Sequence, residues 1–403
     1  MKKTIKIFVL GLLSAALFSC QDAALPTIDN MVYISDAANG KLGVTNMASS
    51  GNTEVTFTVR LAQKATEDVK VAIIVDTTVL KNYNETYQYA IKHVAAENIE
   101  VPVLAIIPAG SVVSEPITMT INEFDPKGAQ YAVAIRIVSK GSVPVAETSS
   151  KYIIQLMKPL KQYVPKFSRA CAMQCYPLDD WRLSLMNYTL EWWVKMTGFQ
   201  VNNQAIINSG SNYNDDNSEL YIRFGDEVYG RTYFNYLQIK TMGAQADTGD
   251  PRIEGQGLKT NTWYHFAISY DGASGKSIIY KDGEIMAELN TGGGRPMIID
   301  RFQMCSSNSY FRDQAEMCQV RLWNTTRTQA QIQKNMNSEV DYSDPALEMY
   351  LPMNEGPNKF EQNGNVKIND VTGKGHDTFV GNFTGAGGSG NGTQPVAWTE
   401  YAF

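Results

Sequence analysis

The chain has 403 residues, with 35 Lys and Arg against 41 Asp and Glu, and 21 tyrosines within an aromatic share of 10%. A net charge of −6 offers no basic excess to hold nucleic acid or an anionic membrane surface. Charged residues at 19% with this aromatic content fit an exported β protein better than a helical cytosolic enzyme, and the length suffices for two domains with separate cores.

The chain opens with Lys2, Lys3 and Lys6, then an apolar run from Ile7 to Phe18 that is too short to span a bilayer and reads as an export signal. Leu17-Phe18-Ser19-Cys20 resembles the lipobox of bacterial lipoproteins, which implies cleavage after residue 19 and a diacylglycerol on Cys20. Cleavage removes three lysines and no acid, taking the charge from −6 to −9. No later segment approaches membrane-spanning length, so the lipid is the expected anchor. The expected location is the outer membrane, at the cell surface, and Asp22 is compatible with an acidic surface-export tag.

Residues 24–157 read as short strands. Val55, Phe57, Val59 and Leu61 share one face, and the alternation returns at Val69-Val71-Ile73-Val75, Ile117-Met119-Ile121 and Tyr131-Val133-Ile135-Ile137. Turn residues separate them, among them Pro108-Ala109-Gly110, Asp125-Pro126-Lys127-Gly128 and Lys140-Gly141-Ser142. This pattern predicts an antiparallel β-sandwich of immunoglobulin type. Tyr83, Tyr87 and Ile91 fall at a helical step, predicting one short helix within Val79–Ala96. The run Leu80-Lys81-Asn82-Tyr83-Asn84, then Ile107-Pro108-Ala109-Gly110-Ser111, then Tyr131-Ala132-Val133-Ala134-Ile135 resembles an N-terminal domain of Bacteroidetes surface lipoproteins. That resemblance implies a spacer between the lipid and a carbohydrate-active or glycan-binding domain.

Lys158 to Pro165 carries two prolines and little periodicity, and is the expected linker. Strand patterns resume over 166–403, with Tyr264, Phe266, Ile268 and Tyr270 alternating against His265, Ala267 and Ser269. Tyr188-Thr189-Leu190-Glu191-Trp192-Trp193-Val194-Lys195, Asn261-Thr262-Trp263-Tyr264-His265-Phe266-Ala267, Ile279-Tyr280-Lys281-Asp282-Gly283 and Val320-Arg321-Leu322-Trp323-Asn324-Thr325 follow in order. Together they resemble the laminin-G-like group of concanavalin A-like lectins and glucanases, which implies a jelly-roll sandwich. The whole chain is thus expected to be all-β.

Hydrolases of that class place carboxylates at alternate positions of one strand, so that they share the cleft. Here Glu191 is followed by Trp193 and Lys195, and Glu316 by Cys318 and Val320, so neither strand carries a second acid in register. No Gly-x-Ser-x-Gly accompanies His93, His265 and His376, and His265 reads as a sheet-bracing residue. No enzyme is expected. Asn212 to Asn217 reads as a solvated loop, with calcium at Asp215 and Asp216 as the alternative, and no other cofactor is implied. Cys305 and Cys318 are candidates for a disulfide, against buried thiols as the alternative; Cys171 and Cys175 do not match zinc spacing.

Sugar recognition combines aromatic faces with planar amides, carboxylates and guanidinium groups. Three loops have that mixture: Tyr213, Asn214 and Asp216; Tyr229, Arg231 and Tyr233; and Tyr310, Phe311 and Arg312. Trp181 is a further candidate. Trp192 and Trp193 point to opposite faces of one strand, so one is core and the other is left to line the outer face. The expected partner is a carbohydrate, beside proteins of an outer-membrane transport complex. The alternative is an adhesive module that contacts protein.

Overall fold

The computed structural model describes residues 29–40, 42–168, 173–175, 182–210, 218–299, 301–305, 311–357, 366–380 and 396–403. The expected export signal and Cys20 lie outside these residues, as do Trp181, Tyr213, Asn214, Asp215, Asp216 and Tyr310. The described chain is nearly all β, with two short α-helices: α1 (Thr77–Tyr87) and α2 (Gln329–Asn335). No described helix is long and apolar enough to cross a membrane.

The first sandwich is built on a sheet ordered Gly43–Asn46, Lys151–Met157, Tyr131–Ser139, Val69–Val75 and Leu104–Ile107. Facing it are Thr53–Phe57, Ile117–Ile121 and Ile99–Glu100. Val71, Ile73, Val133, Ile135 and Ile137 on one side meet Phe57, Ile117, Met119 and Ile121 on the other. Two pairings are parallel, Gly43–Asn46 with Lys151–Met157 and Lys92–His93 with Tyr131–Ala132, where the pattern predicts only antiparallel neighbours. The alternation Val55, Phe57, Val59, Leu61 is also divided. Thr53–Phe57 pairs with Ile117–Ile121, while Val59–Leu61 pairs with Val32–Ile34. All four apolar side chains stay buried, because changing hydrogen-bond partner at Thr58 does not change which face points inward.

Helix α1 starts at Thr77, two residues before the expected Val79, behind an Asp76 N-cap whose carboxylate accepts from the Thr78 amide at 3.0 Å. It ends eight residues before the predicted Ala96 boundary permits, at Gln88 in the left-handed conformation (φ 57°). Ile91 still reaches the small core under the helix, but from extended chain.

The second sandwich has two large sheets. One runs Glu284–Asn290, Lys276–Lys281, Trp263–Asp271, Asn187–Met196, Ala315–Trp323, Lys161–Phe167 and Ala397–Ala402. The other runs Ala244–Asp247, Leu237–Thr241, Leu220–Phe224, Gln204–Gly210, Arg301–Met304, Met173–Cys175, Thr378–Val380 and Val366–Ile368. Leu190, Trp192, Val194, Phe266 and Ile268 from the first interleave with Ile207, Ile222, Phe224, Leu237 and Ile239 from the second. Trp192 is fully buried, its ring stacked on Phe266 with centroids 5.8 Å apart.

Three expectations are corrected. Residues 161–165 are not linker: Lys161–Phe167 is a strand registered against Ala397–Ala402, and Pro165 is accommodated opposite Trp398 beside the sheet edge. Cys305 and Cys318 are not bridged. Cys305 Sγ lies 3.6 Å from Met317 Sδ, and side chains at 317 and 318 leave opposite faces of their strand, so Cys318 points away. Both are buried thiols, and burial pushes that of Cys318 well up. Trp193 does not line an open face, because α2 and the chain after it cover that side: its Nε1 donates to the Met336 carbonyl at 2.7 Å, and Phe403 packs on its ring.

Candidate functional site

The sequence Leu220-Tyr221-Ile222-Arg223-Phe224 alternates with period two. Leu220, Ile222 and Phe224 are in the core, so Tyr221 and Arg223 stand together on the outer face of the second sheet. Register places Arg223 beside Gln238, and Tyr221 beside both Asn208 and Lys240.

Arg223 is the hub. Its Nε donates to Gln238 Oε1 at 2.8 Å, Nη1 to Asn203 Oδ1 at 2.9 Å, and Nη2 to Gln238 Oε1 at 2.6 Å and Asp226 Oδ2 at 2.5 Å. Tyr221 donates to the same Asn203 oxygen at 2.7 Å, and Gln238 Nε2 donates to Asp247 Oδ1 at 3.0 Å. Burial raises the pKa of Tyr221, against the opposing pull of Arg223 and Asn203. A guanidinium held on three sides by planar amides and a carboxylate is fixed in orientation, so donors and acceptors are presented without further ordering.

The strand leads into a loop that forms the rim. Gly225 lies at φ 70°, and a Cβ there would sit 2.6 Å from the Phe234 Cβ, so only glycine lets the loop close on itself. Its amide donates to the Tyr236 carbonyl at 3.0 Å. Tyr236 anchors the loop from below: its hydroxyl accepts from the Asp226 amide at 2.8 Å and donates to the Asp226 carbonyl at 3.1 Å. Burial pushes its pKa up to about 12.

Of the sequence candidates, this loop brings Tyr229, Arg231 and Tyr233 together. Tyr229 packs edge-on against Tyr236 with centroids 4.9 Å apart, while Arg252 lies 5.1 Å over its ring and is paired with Asp250 at 2.6 Å. Burial, then the Asp247 charge, raises the Tyr229 pKa, which places Tyr229 next to the shelf carboxylate. Tyr233 is 42% exposed. The Arg231 side chain is largely exposed, with only Glu227 at 3.6 Å.

In the third candidate loop Tyr310 lies outside the described residues, and Phe311 is not placed as expected. Phe311 is fully buried in the sandwich core and cannot stack on a ligand. Asp313, two residues on, is also buried and accepts from the Gln200 amide, Gln200 Nε2 and Gln204 Nε2, each at 2.8 Å; it clips the loop. Arg312 is exposed, with its amide donating to Gln204 Oε1 at 3.1 Å. Gln204 is registered with Phe224, so Arg312 lies at the same end of the sheet as the Tyr229 loop. Among the described residues no group of three or more His, Cys, Asp or Glu is placed to hold a metal.

Sequence reading missed Asn203, Tyr221, Arg223, Gln238, Asp247 and Arg252. The alternation over 220–224 was the available signal for two of them. Asn203, Gln238, Asp247 and Arg252 come from three other segments, which no local pattern connects.

The comparisons with known proteins agree with this architecture. Residues 28–144 match a family model described as an N-terminal domain, and residues 176–333 match that of the concanavalin A-like lectin/glucanases superfamily. No curated protein matches the chain. Among solved structures, a putative carbohydrate binding protein from Bacteroides ovatus is 20% identical, with 92% of this chain and 97% of that one covered at a TM-score of 0.61. A pentraxin from Limulus polyphemus (13% identical, 41% and 81% covered, TM-score 0.30) is also similar. So is a two-domain protein of unknown function from Bacteroides fragilis (14% identical, 72% and 94% covered, TM-score 0.28).

Proposed function

We propose, for a chain that carries an N-terminal β domain followed by a concanavalin A-like lectin/glucanase domain, a role in non-catalytic binding of carbohydrate. The observation that carries this reading is the polar shelf of Tyr221, Arg223 and Asn203, braced from beneath by the buried Gln238 and rimmed by Tyr229, Tyr233, Arg231 and Arg252. Fixed planar donors and acceptors match sugar hydroxyls, and the exposed tyrosine supplies a face for the apolar side of a pyranose ring. The B. ovatus relative, similar over almost the whole chain, lends the same direction.

Glu191 and Glu316 are not placed as a hydrolytic pair. Glu191 and Glu316 share the outer face of the other sheet, but Glu191 is opposite Arg321 and Glu316 opposite Lys195, four residues further along. At about 3.3 Å per residue they are about 13 Å apart, beyond the separation of about 5 to 9.5 Å used in glycoside hydrolysis. Both are also covered and paired with cations. In this reading the lipid on Cys20 tethers the chain at the outer-membrane surface, the first domain is the spacer, and the setting is a glycan-utilisation system.

Affinity electrophoresis through gels containing single polysaccharides tests the proposal. Arg223→Ala removes charge-assisted hydrogen bonds to a hydroxyl ligand, and retention should weaken by about 10- to 100-fold. Tyr233→Ala, at an exposed position where folding is not at stake, should weaken it by about threefold to tenfold. Release of reducing ends should stay at the buffer level. Absence of retention by every plant and host polysaccharide, or retention unchanged in both variants, overturns the reading.

A further inference from the structure

The geometry points to a second ligand site, in the first domain and independent of the polar shelf: Tyr83, Tyr87 and Tyr89 with Lys334 form a contact platform for an anionic sugar. Tyr83 and Tyr87 are four residues apart on α1 and share one side of it, with ring centroids 4.8 Å apart. Where a glycine commonly ends a helix, Gln88 takes the left-handed conformation and turns the chain back. The Tyr89 amide donates to the Asn84 carbonyl at 3.1 Å, and the Tyr89 ring lies nearly parallel to Tyr83, at 17° and 5.9 Å. Asn84 Nδ2 secures the returning strand through the Ile91 carbonyl at 2.8 Å. One backbone bond and one Asn84 side-chain bond therefore hold the turn that carries Tyr89.

A purely structural cap would bury these rings. Tyr83 does so, packing on Val79, Leu80, Ile91 and Ala132, but Tyr87 is 60% and Tyr89 44% exposed. Two exposed tyrosines, each pre-positioned by packing on Tyr83, lose little side-chain entropy when a ring settles on them.

The charge comes from the second domain. Lys334, in the last turn of α2, holds its ammonium 4.9 Å over the Tyr89 ring. The neighbouring cations are engaged: Lys92 with Asp341 at 2.8 Å and Lys158 with Glu339 at 3.4 Å, whereas Lys334 has no carboxylate partner among the described residues. An uncompensated ammonium beside exposed aromatic rings suits a sugar bearing a carboxylate or sulfate, with the pyranose on the tyrosines and the anion on Lys334. In a chain of net charge −6, general ion exchange works against such a ligand, so retention would report this site.

The test is affinity electrophoresis of the full chain through polygalacturonate, which presents carboxylates, through dextran sulfate, which presents sulfates, and through unmodified dextran. Retardation is expected in one or both anionic gels and not in dextran. The double variant Tyr87→Ala, Tyr89→Ala should weaken it by about tenfold, Lys334→Ala should abolish the preference for the anionic polymer, and Lys334→Arg should retain it. Retention lost in Arg223→Ala but kept in the tyrosine and Lys334 variants would assign it to the shelf and overturn the proposal. An unaltered melting temperature in each variant excludes unfolding as the cause. No retardation in either anionic gel, or retardation insensitive to the tyrosine and Lys334 changes, overturns the proposal.

Discussion

Glu191→Ala is expected to destabilise the second domain by about 3 to 5 kcal/mol. Glu191 points away from the Leu190, Trp192 and Val194 core face, and the chain around α2 seals that side, so the carboxylate has no exposed surface. Its oxygens face His265 Nε2 at 3.5 Å and Arg327 Nε at 3.4 Å, with Arg321 opposite it across the strand pair. Arg327 is in turn buried against the Trp323 ring, 3.8 Å from its centre. Removing the carboxylate strands two buried guanidinium groups without their counter-charge, whereas water cannot reach them to compensate. For a domain of this size that corresponds to a fall in Tm of about 10 °C or more, measured by calorimetry.

The same group sets a pH dependence. Burial alone would raise the Glu191 pKa, but His265 at 3.5 Å and the charges of Arg321 and Arg327 outweigh it and hold the carboxyl below its ordinary 4.5. A folded-state value below the unfolded one means that the stabilisation is complete above about pH 4.5 and is lost as pH falls through the folded-state value. Wild-type Tm should therefore drop on acidification below that point, and the gap between wild type and Glu191→Ala should narrow with it. A constant gap between pH 7 and pH 3 would contradict this assignment.

Gly128→Ala is expected to pry the two sandwiches apart. Gly128 lies at φ 71°, and a Cβ there would fall 1.8 Å from the Val340 carbonyl oxygen and 2.5 Å from its carbon. The contact is between backbones and cannot be relieved by a rotamer change. Around it the chain after α2 docks on the first domain: the Tyr342 amide donates to the Lys127 carbonyl at 3.1 Å, Lys92 pairs with Asp341, and Lys158 pairs with Glu339. Burial and the nearby Glu339 push the Tyr342 phenol far up, as befits a ring wedged in this joint. Left-handed strain of about 1 to 2 kcal/mol adds to about 1 to 3 kcal/mol of overpacking. The variant should melt in two transitions where the wild type melts in one, and small-angle scattering should show a more extended particle. One transition and unchanged scattering would show that the joint tolerates a side chain.

Much of the fold is legible in the residues because strand burial has a period of two. Val55-Phe57-Val59-Leu61 and Val133-Ile135-Ile137 are inward-facing as the alternation predicts. The alternation does not state which strand is the neighbour, and so it conceals the change of partner at Thr58 and the two parallel pairings. Pro165 misleads in the other direction: proline argues against a strand only where its missing amide is needed. Phe311 was misread because an aromatic between Tyr310 and Arg312 looks like loop chemistry, whereas its exposure is set by whether the loop folds back over the sheet edge.

From its sequence alone, this protein is an all-β chain in two parts, with a laminin-G-like second domain, since hydrophobic period, turn residues and ordered motifs are local properties. Its site is not local. Arg223 acquires a role only when Asn203 and Gln238 arrive from separate segments, and Lys334 meets Tyr89 only because the domains dock. Side chains distant in sequence are brought within hydrogen-bonding range by sheet register and packing, and those are decided by the whole core at once.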